Sequence, residues 1–237
     1  MKICGIVAAY FGARRSNRSG YANLVEFSNA FSKYDQTFLS KLIIVISGSY
    51  DAKLFSDSIA ALKNRQGLQI EVLERKNTGF SYGAWNDAVL KTLSTSESFT
   101  HYFLIEDDYR PNTHDYCLPF LQEDAAYTAS LVGHHPKTHA AISNGILRAD
   151  VAKKVANRYG SIFFIRDDYS SYNMSKYQLG EFNQLHFLDY IISFCRESDY
   201  LRPIADISSK CRIPFYCNGS IKFFGNSEGP TPIVCTT

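Results

Sequence analysis

The chain has 237 residues, of which 45% are hydrophobic, and this is enough to bury a sizeable core in one α/β domain. Its formal net charge of +2 does not call for nucleic acid or an anionic membrane as a partner. The six cysteines form no CxxC pair, which predicts reduced, structural thiols. No stretch approaches the roughly 20 apolar residues that span a bilayer, so we expect a cytoplasmic protein without a transmembrane segment.

Strand-like and helix-like segments alternate through the first half, a pattern that predicts a mainly parallel sheet covered by helices. The predicted strands are residues 2–9, 42–47, 68–72 and 102–105, and the predicted helices are residues 21–34, 51–64 and 81–93. Each helix carries apolar residues at helical spacing, such as Leu24, Phe27 and Phe31 in the first.

The second half has a weaker pattern. We predict strands at residues 126–133 and 140–147 and a helix at residues 149–159. A polar, tyrosine-rich segment, residues 166–180, is typical of a long surface loop, and a helical pattern resumes at residues 181–194.

Three consecutive carboxylates, Glu106, Asp107 and Asp108, follow directly on the apolar fourth strand. In an open α/β sheet, ligands bind at the carboxyl ends of the strands, so this position favours function. Neighbouring carboxylates suit a hard divalent cation that also binds phosphate oxygens. A solvated acidic loop is the alternative, and the triplet alone does not decide between the two.

A second segment, residues 77–86 with the sequence NTGFSYGAWN, leads from the third strand into a helix. At a helix N-terminus, small residues let backbone amides approach a phosphate, and Gly79 and Gly83 fit this use. Arg75 and Lys76 precede the segment and add positive charge. An ordinary turn would also use glycine. The acidic triplet downstream favours the phosphate-binding interpretation.

The joint order of these segments resembles the nucleotide-sugar-dependent glycosyltransferases of the GT-A fold, particularly family 2. A strand ending in SGSYD (residues 47–51) precedes the NTGFSYGAWN segment, and the EDD triplet follows it. The resemblance covers roughly residues 1–150. It implies an α/β, Rossmann-like GT-A fold with a mixed, mainly parallel central sheet and helices on both faces. It also implies a single domain, 1–237, with a nucleotide-binding half at 1–115 and an acceptor-binding half at 116–237.

The resemblance assigns roles to individual residues. Glu106 and Asp108 match positions that contact the ribose and the metal-bound diphosphate, so these two are the expected ligands of Mn²⁺ or Mg²⁺. Asp107, between them, is expected to face sugar hydroxyls or the backbone. The other residues expected to bind the nucleotide sugar lie at strand ends and in loops: Ala8, Ala9, Tyr10, Ser47, Lys76, Asn77, Gly79, Gly83, Asn86, Asn144 and Gly145.

The chain departs from the family pattern at two places. Where the family has an aspartate that binds the uracil ring, this chain has Ile46 or Ser47, so UDP, GDP, dTDP and CMP all stay open as the nucleotide. Trp85 stands just before Asn86, where the family often has an arginine. In the second half, Asn144 and Gly145 match a small-residue loop at the donor-sugar pocket, and a core β-bulge explains them equally well.

We expect a hexose-type sugar to pass from a nucleotide diphosphate sugar to a saccharide or glycoconjugate hydroxyl, as in polysaccharide biosynthesis. An inverting, metal-dependent transfer needs a carboxylate base. Glu181 has the family position for it, and Asp189 is the weaker candidate. A sugar-phosphate nucleotidyltransferase, suggested by residues 12–15 (GARR) after the first strand, is one alternative. A non-catalytic GT-A-like domain that binds glycans is the other.

Overall fold

The structure is a computed structural model that describes residues 1–12, 20–35, 37–111, 113–118, 121, 127–134, 137–139, 145–162 and 231–233. Its strands are β1 Ile3–Tyr10, β2 Leu39–Ser47, β3 Gln69–Arg75, β4 His101–Glu106, β5 Tyr127–His134, β6 Lys137–His139, β7 Gly145–Arg148 and β8 Thr231–Ile233. Its helices are α1 Gly20–Tyr34, α2 Ala52–Ser58, α3 Ala60–Lys63, α4 Phe80–Leu93 and α5 Ala149–Tyr159.

One mixed sheet organises the described residues. Its strand order is β3-β2-β1-β4-β7-β5-β6, and β8 pairs with β5. Strands β3, β2, β1 and β4 are parallel neighbours, whereas β7 is antiparallel to β4 and β5 is antiparallel to β7. The predicted fold class, a mixed and mainly parallel α/β sheet, is confirmed.

Two buried clusters cover the two faces of the sheet, because successive side chains of a strand point to opposite faces. On β1, Cys4 and Ile6 belong to the cluster under α4 and α5, which includes Trp85. Val7 and Ala9 belong to the cluster under α1, α2 and α3. The runs of apolar residues in β1 and β2 are buried on both faces, as expected for central strands of a parallel sheet.

The predicted helix at residues 51–64 is wrong in one respect, since the structure has two short helices that meet at Ile59. The Ser58 hydroxyl donates a hydrogen bond to the carbonyl of Phe55 at 2.7 Å, and the amide of Leu62 donates to the hydroxyl of Ser28 on α1 at 3.1 Å. These side-chain bonds compete with the regular helical pattern at the junction. The apolar residues at helical spacing in this segment, Phe55, Ile59 and Leu62, are all buried, as such spacing predicts.

Strand β3 is buried less regularly than its sequence predicts. Leu68, Ile70 and Val72 alternate with polar residues, a pattern that predicts one buried face, but Val72 is 39% exposed. Since β3 lies at the edge of the described sheet, with β2 as its neighbour, its outward residues are incompletely covered. In the second half, residues 145–148 form a strand, whereas residues 140–144 of the predicted strand 140–147 lie outside the described residues. Helix α5 matches its predicted bounds.

Candidate functional site

The strand register brings four carboxyl ends to one edge of the sheet. Tyr10 at the end of β1 lies opposite Ser47 at the end of β2, and Ser47 lies opposite Arg75 at the end of β3. Glu106 at the end of β4 lies opposite Ala8 on β1. This edge is the usual ligand-binding position of an open α/β sheet, and we call it the carboxyl edge.

Glu106 faces helix α4. Strand alternation places it on the same face as Tyr102 and Leu104, which both pack under α4. Its carboxylate accepts a hydrogen bond from the hydroxyl of Ser81, in the first turn of α4. Burial, reinforced by the charge of Glu106, raises the pKa of Tyr82 above its usual range. The Glu106 carboxylate is therefore held beside the N-terminus of α4.

Asp107 faces helix α1, on the opposite side of the sheet. It is 4% exposed. Its carboxylate accepts hydrogen bonds from the side-chain amide of Asn23 and from the backbone amide of Tyr10, both at 3.3 Å. Its own backbone amide donates to the carbonyl of Ala8 at 3.2 Å. The resemblance implied that Asp107 faces either sugar hydroxyls or the backbone. In the structure its carboxylate binds groups of the protein, one of them a backbone amide.

Asp108 lies in the turn that follows the strand, and Arg110 stabilises that turn. The Arg110 guanidinium donates to the carbonyls of Asp107 and Tyr109, both at 2.8 Å, and pairs with Glu26 of α1 at 3.3 Å. Burial lowers the pKa of Arg110, while Glu26 and then Asp108 act in the opposite direction. Asp108 is half-buried on a turn that α1 holds in place.

The segment before α4 has a glycine N-cap and packs closely against Arg75. Gly79, the N-cap of α4, has a φ of 72°, which glycine adopts without strain. At Gly83, an added Cβ would lie 2.0 Å from the carbonyl oxygen of Thr78 and 2.7 Å from a nitrogen of Arg75. Arg75 donates to that Thr78 carbonyl at 2.8 Å and pairs with Asp87 at 2.7 Å. Its positive charge lies beside the helix N-terminus.

Five other residues were predicted to contact the nucleotide-sugar donor. Lys76 and Asn77 are exposed in the loop before α4. Gly145 opens β7 beside Leu104, close to the carboxyl end of β4. Ser47 and Asn86 are 4% and 7% exposed. The Asn86 side-chain carbonyl accepts from the amide of Ile162 at 2.8 Å, which ties α4 to the end of the described α5 region. Direct contact with a ligand stays a prediction for all five.

Asn144, Glu181 and Asp189 lie outside the described residues. The assignment of the catalytic base and of Asn144 to the sugar pocket therefore stays a prediction.

Sequence reasoning missed the residues that orient the acidic triplet. Ser81, Asn23 and Arg110 each touch it, and none was singled out as a site residue. Asn23 had a detectable signal, since it is a polar residue on the buried face of α1, beside Leu24 and four residues before Phe27. A polar group on an apolar helix face needs a buried partner.

Comparison with known proteins supports the fold. No family model matches the chain, and no curated protein matches it. The structure is similar to that of S. aureus TarS 1-349, with a TM-score of 0.50 and 14% sequence identity over 81% of this chain and 56% of that one. TarS is a GT-A glycosyltransferase of family 2, so the resemblance to that fold is confirmed.

A structure of S. aureus TarS 1-349 in complex with UDP is also similar, with a TM-score of 0.49 and 13% identity over 81% of this chain and 55% of that one. The chain spans just over half the length of these TarS chains. Among the helices that the structure describes, none is long and apolar enough to cross a membrane.

Proposed function

We propose that the chain is a glycosyltransferase that moves a sugar from a nucleotide diphosphate sugar to a hydroxyl of a saccharide or glycoconjugate, as in polysaccharide biosynthesis. One observation carries the proposal. Glu106 ends the fourth parallel strand and contacts Ser81 in the first turn of the glycine-capped helix α4, and Asp108 lies in the turn that follows, on a sheet that resembles the GT-A fold. Anionic ligands for a cation and backbone amides for a phosphate then lie at one edge.

The donor set fits Mn²⁺ or Mg²⁺. Within the described ranges, no group of three or more His, Cys, Asp or Glu side chains could hold a metal ion by itself. Magnesium-like cations in phosphate-transfer sites are held by one or two carboxylates together with substrate phosphates and water. Glu106 and Asp108 supply such carboxylates, while Asp107 is turned toward α1. When bound, the ion would stabilise the negative charge of the departing diphosphate.

The reaction needs one bond to form as another breaks. The acceptor oxygen bonds to the anomeric carbon, and the bond from that carbon to the diphosphate oxygen breaks, releasing the nucleoside diphosphate. In an inverting transfer, the proton of the acceptor hydroxyl passes to a carboxylate, for which we propose Glu181, with Asp189 as the second candidate. Arg75 and the amides at the start of α4 add positive potential near the leaving group.

Calorimetry with nucleoside diphosphates and triphosphates, with and without Mn²⁺, tests this proposal. We expect Mn²⁺-dependent binding of a diphosphate, and we expect Asp108→Asn to abolish it because the variant removes an anionic metal ligand. Asp57→Asn, an exposed residue of α2 paired with Lys53, is the matched control and should leave binding unchanged.

Other outcomes point elsewhere. A preference for triphosphates would support the nucleotidyltransferase, and absence of nucleotide binding would support a non-catalytic glycan-binding domain. Metal-dependent affinity that survives in Asp108→Asn would remove the acidic triplet from the site.

A further inference from the structure

An aromatic cluster extends the carboxyl edge beyond β1 and β2. The ring of Phe11 lies 4.7 Å from that of Tyr21 and 5.8 Å from that of Tyr50, and the Tyr50 ring lies 5.5 Å from that of Phe55. Phe55 is buried, but the other three rings are only half-buried. Phe11 follows Tyr10, whose amide bonds the acidic triplet. A partly open aromatic surface therefore adjoins the site described above.

Two hydrogen-bond acceptors lie at the border of this surface. The Tyr50 hydroxyl donates to a carboxylate oxygen of Glu74 at 2.5 Å. Glu74 is exposed on β3, directly before Arg75. This bond raises the pKa of the Tyr50 hydroxyl above its ordinary value of 10.0, so the hydroxyl is protonated at neutral pH with or without the bond. Because its one proton is already donated, the Tyr50 oxygen can only accept further bonds, as the Glu74 carboxylate does.

The end of β2 offers no comparable polar group. Ile46 is 1% exposed and Ser47 is 4% exposed. These two residues stand where the family has a base-binding aspartate, so the strand itself has no exposed polar side chain at that position. The backbone carbonyl of Ser47 accepts from the amide of Phe11 at 2.9 Å. Tyr50 and Glu74 are polar side chains beside the aromatic cluster, and their hydrogen bond lies at the exposed surface. The Tyr21 hydroxyl, within the cluster, accepts from the backbone amide of Asp51 at 2.6 Å.

We propose that Tyr50 and Glu74 read the nucleobase of the donor and select guanine, with the aromatic cluster of Phe11 and its neighbours contacting the ring. This inference rests on the proposed function. The guanine edge presents two adjacent donors, N1–H and the 2-amino group, which match two neighbouring acceptors. Uracil presents one N–H between two carbonyl oxygens, and those oxygens would face the carboxylate. Selection then comes from matched bonds for one base and repulsion for the other.

Calorimetry with GDP, IDP and UDP in the presence of Mn²⁺ tests the assignment. IDP is the sharpest probe, because it keeps N1–H but lacks the 2-amino group. We expect GDP to bind about 10-fold more tightly than UDP, the size of one charge-assisted hydrogen bond, with IDP between them. In Glu74→Gln, the amide can donate to a uracil carbonyl, so the preference for GDP should be lost.

Glu71→Gln is the matched control, since it makes the same change on the same strand but on the opposite face, where Glu71 pairs with Lys41 and Lys91. It should keep the preference for GDP. Equal binding of GDP and UDP by the wild-type protein, or an unchanged preference for GDP in Glu74→Gln, would overturn the assignment of guanine. The glycosyltransferase proposal would stand in that case, provided that diphosphate binding still depended on Asp108. Absence of any diphosphate binding would overturn both.

Discussion

The side-chain amide of Asn23 on α1 donates a hydrogen bond to the buried carboxylate of Asp107 across 3.3 Å. The two residues are 84 positions apart in the chain. This contact separates the three consecutive acids into different roles, because Asp107 is directed under the sheet while Glu106 contacts Ser81 on the other face. The acidic turn is therefore anchored from both sides before any ligand binds.

Loss of the Asn23 amide should destabilise the protein. In Asn23→Ala, a buried carboxylate loses one of its donors, and we expect the free energy of unfolding to fall by about 1–3 kcal/mol. Denaturant unfolding measures the change. A double-mutant cycle with Asp107→Ala separates the pair from other effects, and purely additive changes would show that the two side chains are not coupled.

Alanine at Gly79 should weaken diphosphate binding as well as stability. Gly79 and Gly67 have φ values of 72° and 77°, so alanine at either position incurs a similar backbone cost of about 1–2 kcal/mol. Only Gly79 caps α4 at the carboxyl edge, whereas Gly67 has no atom within 4 Å of an added Cβ. We expect calorimetry to show about 10-fold weaker binding in Gly79→Ala alone, as phosphate contacts with backbone amides are lost. Equal affinities in the two variants would remove Gly79 from the phosphate site.

Acid should weaken the fold through Glu71. Hydrogen bonds from Lys41 and then Lys91 lower the pKa of Glu71 from its ordinary value of 4.5, while burial acts in the opposite direction. The stabilisation is complete above pH 4.5 and is lost as the pH falls through the lowered folded-state pKa. We expect Glu71→Gln to lose about 1 kcal/mol or less at pH 7 and to show a flatter decline in acid. Thermal unfolding between pH 7 and 3 measures both, and parallel pH profiles for variant and wild type would contradict the assignment.

The variant Glu181→Gln tests the proposed catalytic base. This change keeps the size of the side chain but removes the basic oxygen, so donor affinity should persist while kcat falls by roughly 10² to 10⁴-fold. Steady-state kinetics, with calorimetry for donor binding, separate the two effects. Normal turnover in Glu181→Gln with a collapse in Asp189→Asn would transfer the role to Asp189. Full activity in both variants would point to a retaining transfer.

The sequence by itself determined the parallel part of the sheet and the edge at which the candidate site lies. Apolar runs marked β1, β2 and β4, and helical spacing marked α1, α4 and α5, because these signals depend on neighbours within a few residues. Since β1 to β4 are parallel, the residues after each strand had to meet at one edge. The gathering of the NTGFSYGAWN segment and the EDD triplet at that edge followed from local patterns alone.

Only the tertiary structure decided what each side chain at that edge contacts. The partners of the triplet come from α1, α4 and β1, and the bond between Tyr50 and Glu74 joins the loop after β2 to the end of β3. The break at Ile59 likewise depends on Ser28, 34 residues before Leu62. Such contacts depend on which helix packs on which face of the sheet, and a side chain's local sequence carries no record of a partner so far along the chain.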